Sequence, residues 1–304
     1  MEKIKVIIGI DVETDAGSWT PYYQGIEKGL PLLLNIFKRQ KVKVTFFFTG
    51  EAANKYHQKA KEVLEADHEV GCHSLFHETV GDELFPIPGV KPLLPEEVPL
   101  RLQRATEMVE DAVGVRPISF RAPRLWGSTA MVNSLENLGY KADATYPLYF
   151  HRKRVFPYHP SRTNWLKEGE SNLLEIPVFA DITRKSTDPF GRDLDHWPVF
   201  RTNGHQALMK MVKNFVGFVE GSGEKKSQVP VLCFYFHPWE FISLPKKFHY
   251  GEGTVVPDYF LIKNCGSKAA RELEQFLKNL KQVYKAEFLT AAQLAEYYAE
   301  KMAL

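Results

Sequence analysis

Four short stretches of this sequence carry groups suited to metal binding and proton transfer. The first is Asp11-Val12-Glu13-Thr14-Asp15. Carboxylates two residues apart leave an extended chain on the same side. One can then hold a metal while another takes a proton, as hydrolytic metal sites require. The plainer account of such acids is helix capping and surface charge. The second stretch is Cys72-His73-Ser74-Leu75-Phe76-His77. Histidines four residues apart stand one above the other on a helical turn and can converge on one ion. Cys72 is read as a small buried residue rather than as a further ligand. The third is Phe120-Arg121-Ala122-Pro123-Arg124, where Arg121 can grip a carboxylate in a bidentate fork or serve a structural salt bridge. The fourth is His237-Pro238-Trp239-Glu240, emerging from an apolar run. A half-desolvated histidine there can donate a proton, or can be a satisfied core residue.

Each of these stretches follows a run that reads as a strand. Such runs lie at 6–10, 42–48, 69–72, 118–121, 140–144, 173–178, 229–236 and 287–289. Those at 42–48 and 229–236 are so apolar that both faces must be buried, as in parallel sheets. Helical period marks 25–41, 51–66, 96–113, 128–138, 205–219, 267–284 and 291–302, with Gly114 and Gly139 stopping two of them. A Pro-rich excursion (79–95), an aromatic and basic irregular stretch (146–170), a polar connector (221–228) and an aromatic loop (239–265) lie between. Continuous alternation without a linker predicts one α/β domain over 1–304, either a (β/α) barrel or an open doubly wound sheet. In both, working groups sit at the C-terminal ends of strands. All four stretches fall there. Neither a Gly-x-Gly-x-x-Gly after the first strand nor a Gly-Lys-Ser/Thr loop is present, so nucleotide binding loses its main support.

Composition narrows the partners. With 304 residues, 44% hydrophobic and 25% charged, the chain has ample material for a core. Thirty-nine basic against 37 acidic residues leave a formal charge of +2, which argues against nucleic acid or an anionic membrane surface. Cys72, Cys233 and Cys265 are too few and scattered for a disulfide framework, and reduced thiols are expected. No apolar run reaches the roughly 18 residues of a membrane span. The N-terminal run ends at Asp11 without a small-residue cleavage site, so no signal peptide is expected and the protein reads as cytoplasmic.

Taken in order, the motifs resemble the polysaccharide deacetylases, the family 4 carbohydrate esterases with a nodulation-type deacetylase domain. That family carries a strand-end Asp pair, His-x-x-x-His, Arg-x-Pro, an Asp-containing strand and a terminal His-Pro or His-Asp. The counterparts here are Asp11-Val12-Glu13, His73 to His77, Arg121-Ala122-Pro123, Asp143 after Tyr140-Lys141-Ala142, and His237-Pro238, from Ile7 to about Tyr297. The resemblance implies a distorted, incomplete (β/α) barrel of about seven strands. It implies Asp11 as general base oriented by Arg121, His237 as general acid, and His73 and His77 as ligands of a divalent metal, usually Zn²⁺. Val12 stands where the usual motif has a second Asp. On the pattern of the family's intracellular branch the third ligand is Glu13, with Asp15 in reserve. Arg124 replaces the aromatic residue that commonly follows Arg-x-Pro.

The implied activity is metal-dependent removal of an N-acyl group, chiefly N-acetyl, from a sugar or glycan precursor. Deformylation or hydrolysis of a cyclic amide such as allantoin is the alternative on the same fold. A non-catalytic carbohydrate-binding barrel would lack Asp11, His73, His77 or His237, and an amidohydrolase barrel would show His-x-His on its first strand. The expected partner is a small molecule or glycan precursor, with no nucleic acid and no transmembrane segment. Self-association is left open. The expected lack of a leader argues against the peptidoglycan and chitin substrates of secreted members.

Overall fold

The fold is arranged around β1 (Lys5–Val12), whose eight residues are all buried. Continuous burial is what a parallel strand covered on both faces requires. The computed structural model describes residues 3–221 and 229–303. The other sheet strands are β2 (Thr45–Phe48), β3 (Glu69–Cys72), β4 (Ser119–Phe120), β5 (Ala142–Asp143), β6 (Leu174–Glu175), β7 (Val231–Phe236) and β8 (Glu287–Leu289). Every pairing among them is parallel, in the order β8-β1-β2-β3-β4-β5-β6, and β7 also pairs with β1. Because β7 runs beside β1 from Lys5 to Ile10, β8 and β2 must share the opposite edge. There β8 takes Lys5 to Ile7, and β2 takes Gly9 to Val12.

Past β6 the chain reaches Val178, which bridges Pro147 on one side and Cys233 of β7 on the other. Phe179 N–H donates to the Cys233 carbonyl at 2.8 Å. Seven of these strands, β1 to β7, thereby curl into a distorted, incomplete (β/α) barrel, joined between β6 and β7 by this bridge alone among the described residues. Helices cover the outside, among them Leu30–Gln40, Val98–Val113, His205–Gly221 and Ser267–Tyr284. Their ends follow local chemistry. Gly114 closes one helix at φ 78°, and the Ser128 hydroxyl accepts the Met131 N–H at 3.1 Å to start Thr129–Asn137.

Several elements differ from the sequence expectation. The helix expected over 51–66 is two, Gly50–Lys55 and His57–Glu65, broken at Tyr56, whose ring lies 5.3 Å from that of Tyr23. The stretch 146–170 is partly ordered, with a helical turn at Leu148–His151 and an antiparallel pair, Pro160–Ser161 with Asn164–Glu168. Within 239–265 the strands Phe248–Tyr250 and Gly253–Val255 form a second small hairpin. These pieces are too short to show a period in sequence. The expected polar connector lies, apart from Gly221, outside the described residues.

Gly9 links this framework to the barrel mouth. A Cβ there would stand 2.0 Å from Arg121 Nη1, so the buried guanidinium occupies the space a side chain would need. Arg121 has three hydrogen-bond partners and cannot yield cheaply. Gly9→Ala should therefore destabilise the protein by about 1–3 kcal/mol, the usual cost of overpacking. Urea denaturation of the variant checks this, and an unchanged midpoint would mean that the guanidinium moves aside freely.

Candidate active site

β1 delivers Asp11 and, just past its end, Glu13 to the barrel mouth, on the same side because their spacing is two. The chain then turns. Asp15 begins a helical turn, and its carboxylate accepts the N–H groups of Gln24 and Gly25, both at 2.8 Å. The expectation that three acids share one side is therefore corrected: Asp15 braces the Gln24–Gly25 backbone.

The helical turn expected for His73 to His77 is also corrected. Residues 73–77 form an irregular loop, with Ser74 at φ 66° and His77 at φ 62°. Glu78, which sequence reasoning passed over, gathers this loop by accepting Phe76 N–H at 2.6 Å and Leu75 N–H at 3.2 Å. The rings of His73 and His77 nonetheless come within 5.2 Å of each other. His73 Nδ1 lies 2.7 Å from the Arg121 carbonyl, which can only accept, so Nδ1 carries the proton and Nε2 faces Glu13. His77 Nε2 is 2.5 Å from Glu13 Oε2. One donor atom from each of Glu13, His73 and His77 lies within 4.8 Å of the others.

Burial acts differently on these groups. It pushes His73 down to about 4, keeping the imidazole neutral. Burial pushes the Glu13 carboxyl up, but His77, His237 and His73 together hold it well below the usual carboxylate range. A carboxylate with converging imidazoles is a donor set suited to a divalent ion such as zinc.

Beside this cluster Arg121, fully buried, gives Nη1–H to Asp11 Oδ1 at 2.8 Å and Nε–H to the Ala144 carbonyl at 2.9 Å. The contact to Asp11 is through one nitrogen, not a bidentate fork. Across the mouth, β7 ends in His237, whose Nδ1 is 3.1 Å from Glu240 Oε1 and whose Nε2 is 3.9 Å from Glu13 Oε1. Glu240 is itself held by Arg201 Nε at 2.5 Å, both fully buried. Burial pushes His237 down, but Glu240 and Glu13 outweigh it and the imidazole is raised. Glu240 was visible as the fourth residue of the motif. Arg201, 39 residues from it in the chain, left no local signal. Asp143 lies away from the cavity, bonded to Thr145, and burial raises its carboxyl to about 7 against the opposing hydrogen bonds of Thr145 and Glu175. Asp11, Glu13, His73, His77 and His237 all open into one cavity of about 440 Å³.

A curled parallel sheet with acids and imidazoles gathered at the C-terminal ends of its strands defines a class, the α/β barrels that carry their working groups at one rim. The polysaccharide deacetylase family model matches residues 15–142. A peptidoglycan deacetylase of Helicobacter pylori is 27% identical over 225 residues, covering 62% of this chain and 73% of that protein. A Mycobacterium smegmatis structure named for the same family superposes with a TM-score of 0.65 at 18% identity, over 99% of this chain and 92% of that one. Puue allantoinase shares the fold at a TM-score of 0.62 and 12% identity, over 97% and 90% of the two chains. Residues 15–142 thus match the polysaccharide deacetylases, hydrolases of carbon–nitrogen bonds other than peptide bonds, and the chain shares the fold of a structure named for that family.

The Glu240 contact generates a test. Glu240→Gln removes the anion that holds His237 up, so the His237 pKa read by NMR titration should fall. The buried Arg201 charge left behind should cost about 3–5 kcal/mol of stability. An unmoved His237 titration would show that Glu240 serves only Arg201.

Proposed function

We propose that the protein is a divalent-metal-dependent N-deacylase that removes an N-acetyl group from an amino sugar or glycan precursor. One observation carries the reading: the Glu13–His73–His77 cluster, Asp11 and His237 share one cavity. The naming of the Helicobacter pylori relative supports a glycan substrate. Glu13, His73 and His77 would hold the ion, with zinc the best match to the donors. When bound, the ion supplies Lewis-acid activation of water and of the acyl carbonyl.

The remaining chemistry belongs to the chain. Asp11 is tied to Arg121 through Oδ1, which leaves Oδ2 to accept the proton of the attacking water. Arg121 keeps Asp11 aimed. His237 commits Nδ1–H to Glu240, so Nε2–H is the proton it can give the departing nitrogen. Its raised pKa favours the charged form that such a donor needs. A cyclic amide could be opened by the same groups. Three free thiols agree with the cytoplasmic location taken here.

Metal analysis separates the acids and histidines. Purified protein should hold about one divalent ion per chain. His77→Ala and Glu13→Ala should lose it. Asp11→Asn should keep the ion while turnover of an N-acetyl sugar drops on the order of 10²–10⁴. Exchanged phenotypes for Asp11 and Glu13 would reverse the two roles.

His237 is tested by leaving-group dependence. An amine leaves badly as an anion, whereas an aryloxide needs no proton. His237→Ala should lose on the order of 10²–10⁴ in turnover of an N-acyl sugar and far less on an aryl acetate, with metal content kept. Equal losses on both substrates would make His237 a positioning residue.

A further inference from the structure

Arg124 stands where the family pattern commonly has an aromatic residue, and it lines the cavity that holds the acid–imidazole cluster. Its backbone is held at φ 60°, and that of Leu125 at φ 59°, a sparsely populated region for residues with side chains. Two such residues in succession persist only where the surroundings impose them, and they concentrate at functional sites. Here the strained turn directs a guanidinium into the cavity.

The donors of Arg124 are only partly spent. Nη1 gives its hydrogens to the His77 carbonyl and to Thr79 Oγ1, both at 3.1 Å. Nη2 and Nε have no hydrogen bond among the described residues, and no carboxylate forms an ion pair with the group. Burial pushes Arg124 down, with Glu13 and Glu78 opposing from a distance. A half-buried guanidinium with free donors and no counter-ion is an incomplete interaction. A second guanidinium, exposed to solvent, lines the same cavity. Arg192 lies over the Phe85 ring at 5.2 Å from its centroid, and no ion pair engages it among the described residues. The neighbouring acids do not answer these charges. Asp193 is occupied by Ser186 and Thr187, and Asp188 accepts the N–H groups of Phe190 and Arg192.

We infer that Arg124, with Arg192, recognises an anionic substituent, a carboxylate or a phosphate, carried by the substrate near its scissile amide. The inference rests on the N-deacylase reading and narrows its substrate to an acidic amino sugar. Arg124 is a specificity residue here. It can offer two parallel N–H groups to the anion while its third nitrogen holds the His77 loop.

The test compares three sugars on the metal-loaded protein: methyl N-acetylglucosaminide, N-acetylglucosamine 6-phosphate and N-acetylmuramic acid. These present no charge, a phosphate and a carboxylate. At least one charged sugar should exceed the neutral one by about 10-fold or more in kcat/KM, as one charged hydrogen-bonded contact allows. Arg124→Gln and Arg192→Gln should collapse that ratio towards one, chiefly through KM, with bound metal retained. Equal turnover of all three sugars, or a ratio untouched by both substitutions, would overturn the inference. So would loss of metal in Arg124→Gln, which would make the residue a support for His77 alone. If no N-acyl sugar is turned over, the deacylase reading fails separately. The anion site is then read by thermal shift with inorganic phosphate. Stabilisation of the native protein that disappears in Arg124→Gln upholds it, and an identical shift in both refutes it.

Discussion

The buried guanidinium of Arg121 is the interaction on which the barrel mouth depends. It reaches Asp11 in β1, the Ala144 carbonyl past β5 and Cys233 Sγ in β7, while its own carbonyl receives His73 past β3. The Phe47 ring of β2 lies 4.5 Å from it. A charge taken out of water is tolerated only when its donors are answered, and leaving it unpaired costs several kcal/mol. Strands from around the barrel must therefore present their ends at matching heights. Gly9 is part of the same constraint, since the guanidinium lies where its side chain would be. A pair at this depth contributes little net stability compared with apolar side chains of the same volume. Its value lies in fixing where one carboxylate oxygen points.

Around that anchor the same side-chain type is driven in opposite directions. His73 and His237 are both nearly inaccessible to water, yet one is pushed down to about 4 and the other is raised. Burial disfavours the charged form in both. The difference is the company each keeps, because His73 gives its Nδ1 proton to a neutral carbonyl whereas His237 meets a carboxylate braced by Arg201. Opposed environments for like groups let one cavity hold one imidazole neutral while favouring the charged form of another. The glycines at 25 and 29 let this wall close. A Cβ on Gly29 would come within 2.0 Å of the Pro238 carbonyl, and one on Gly25 within 2.5 Å of Trp239 N. The His237–Pro238 turn can therefore lie directly on the π-helical turn Gly25–Gly29.

The loops over the mouth obey a different logic. Glu78, Asp193 and the Nη1 group of Arg124 bond loop backbone and side chains, holding chain with almost no regular structure. Such segments are shaped one bond at a time, which lets a family keep one barrel while the cavity wall is rebuilt.

By itself the sequence determined the alternation of strands and helices, the four strand-end motifs and the family they indicate. Fully apolar runs such as Val231–Phe236 leave few alternatives to a buried parallel strand, and Asp, His and Arg directly after such runs must emerge at one rim. Local pattern went too far in two places. It placed His73 and His77 on a helical turn that is a loop with two left-handed residues, and it kept Asp15 beside Asp11 and Glu13 when the chain has already turned at Thr14. Only the tertiary structure decided which acid meets the imidazoles, that Glu240 and Arg201 stand behind His237, and that Arg124 keeps unspent donors in the cavity. Each of those outcomes depends on groups tens of residues apart meeting at hydrogen-bond distance. Chain spacing carries the period of a strand or a helix, and no record of what closure of the barrel brings into contact.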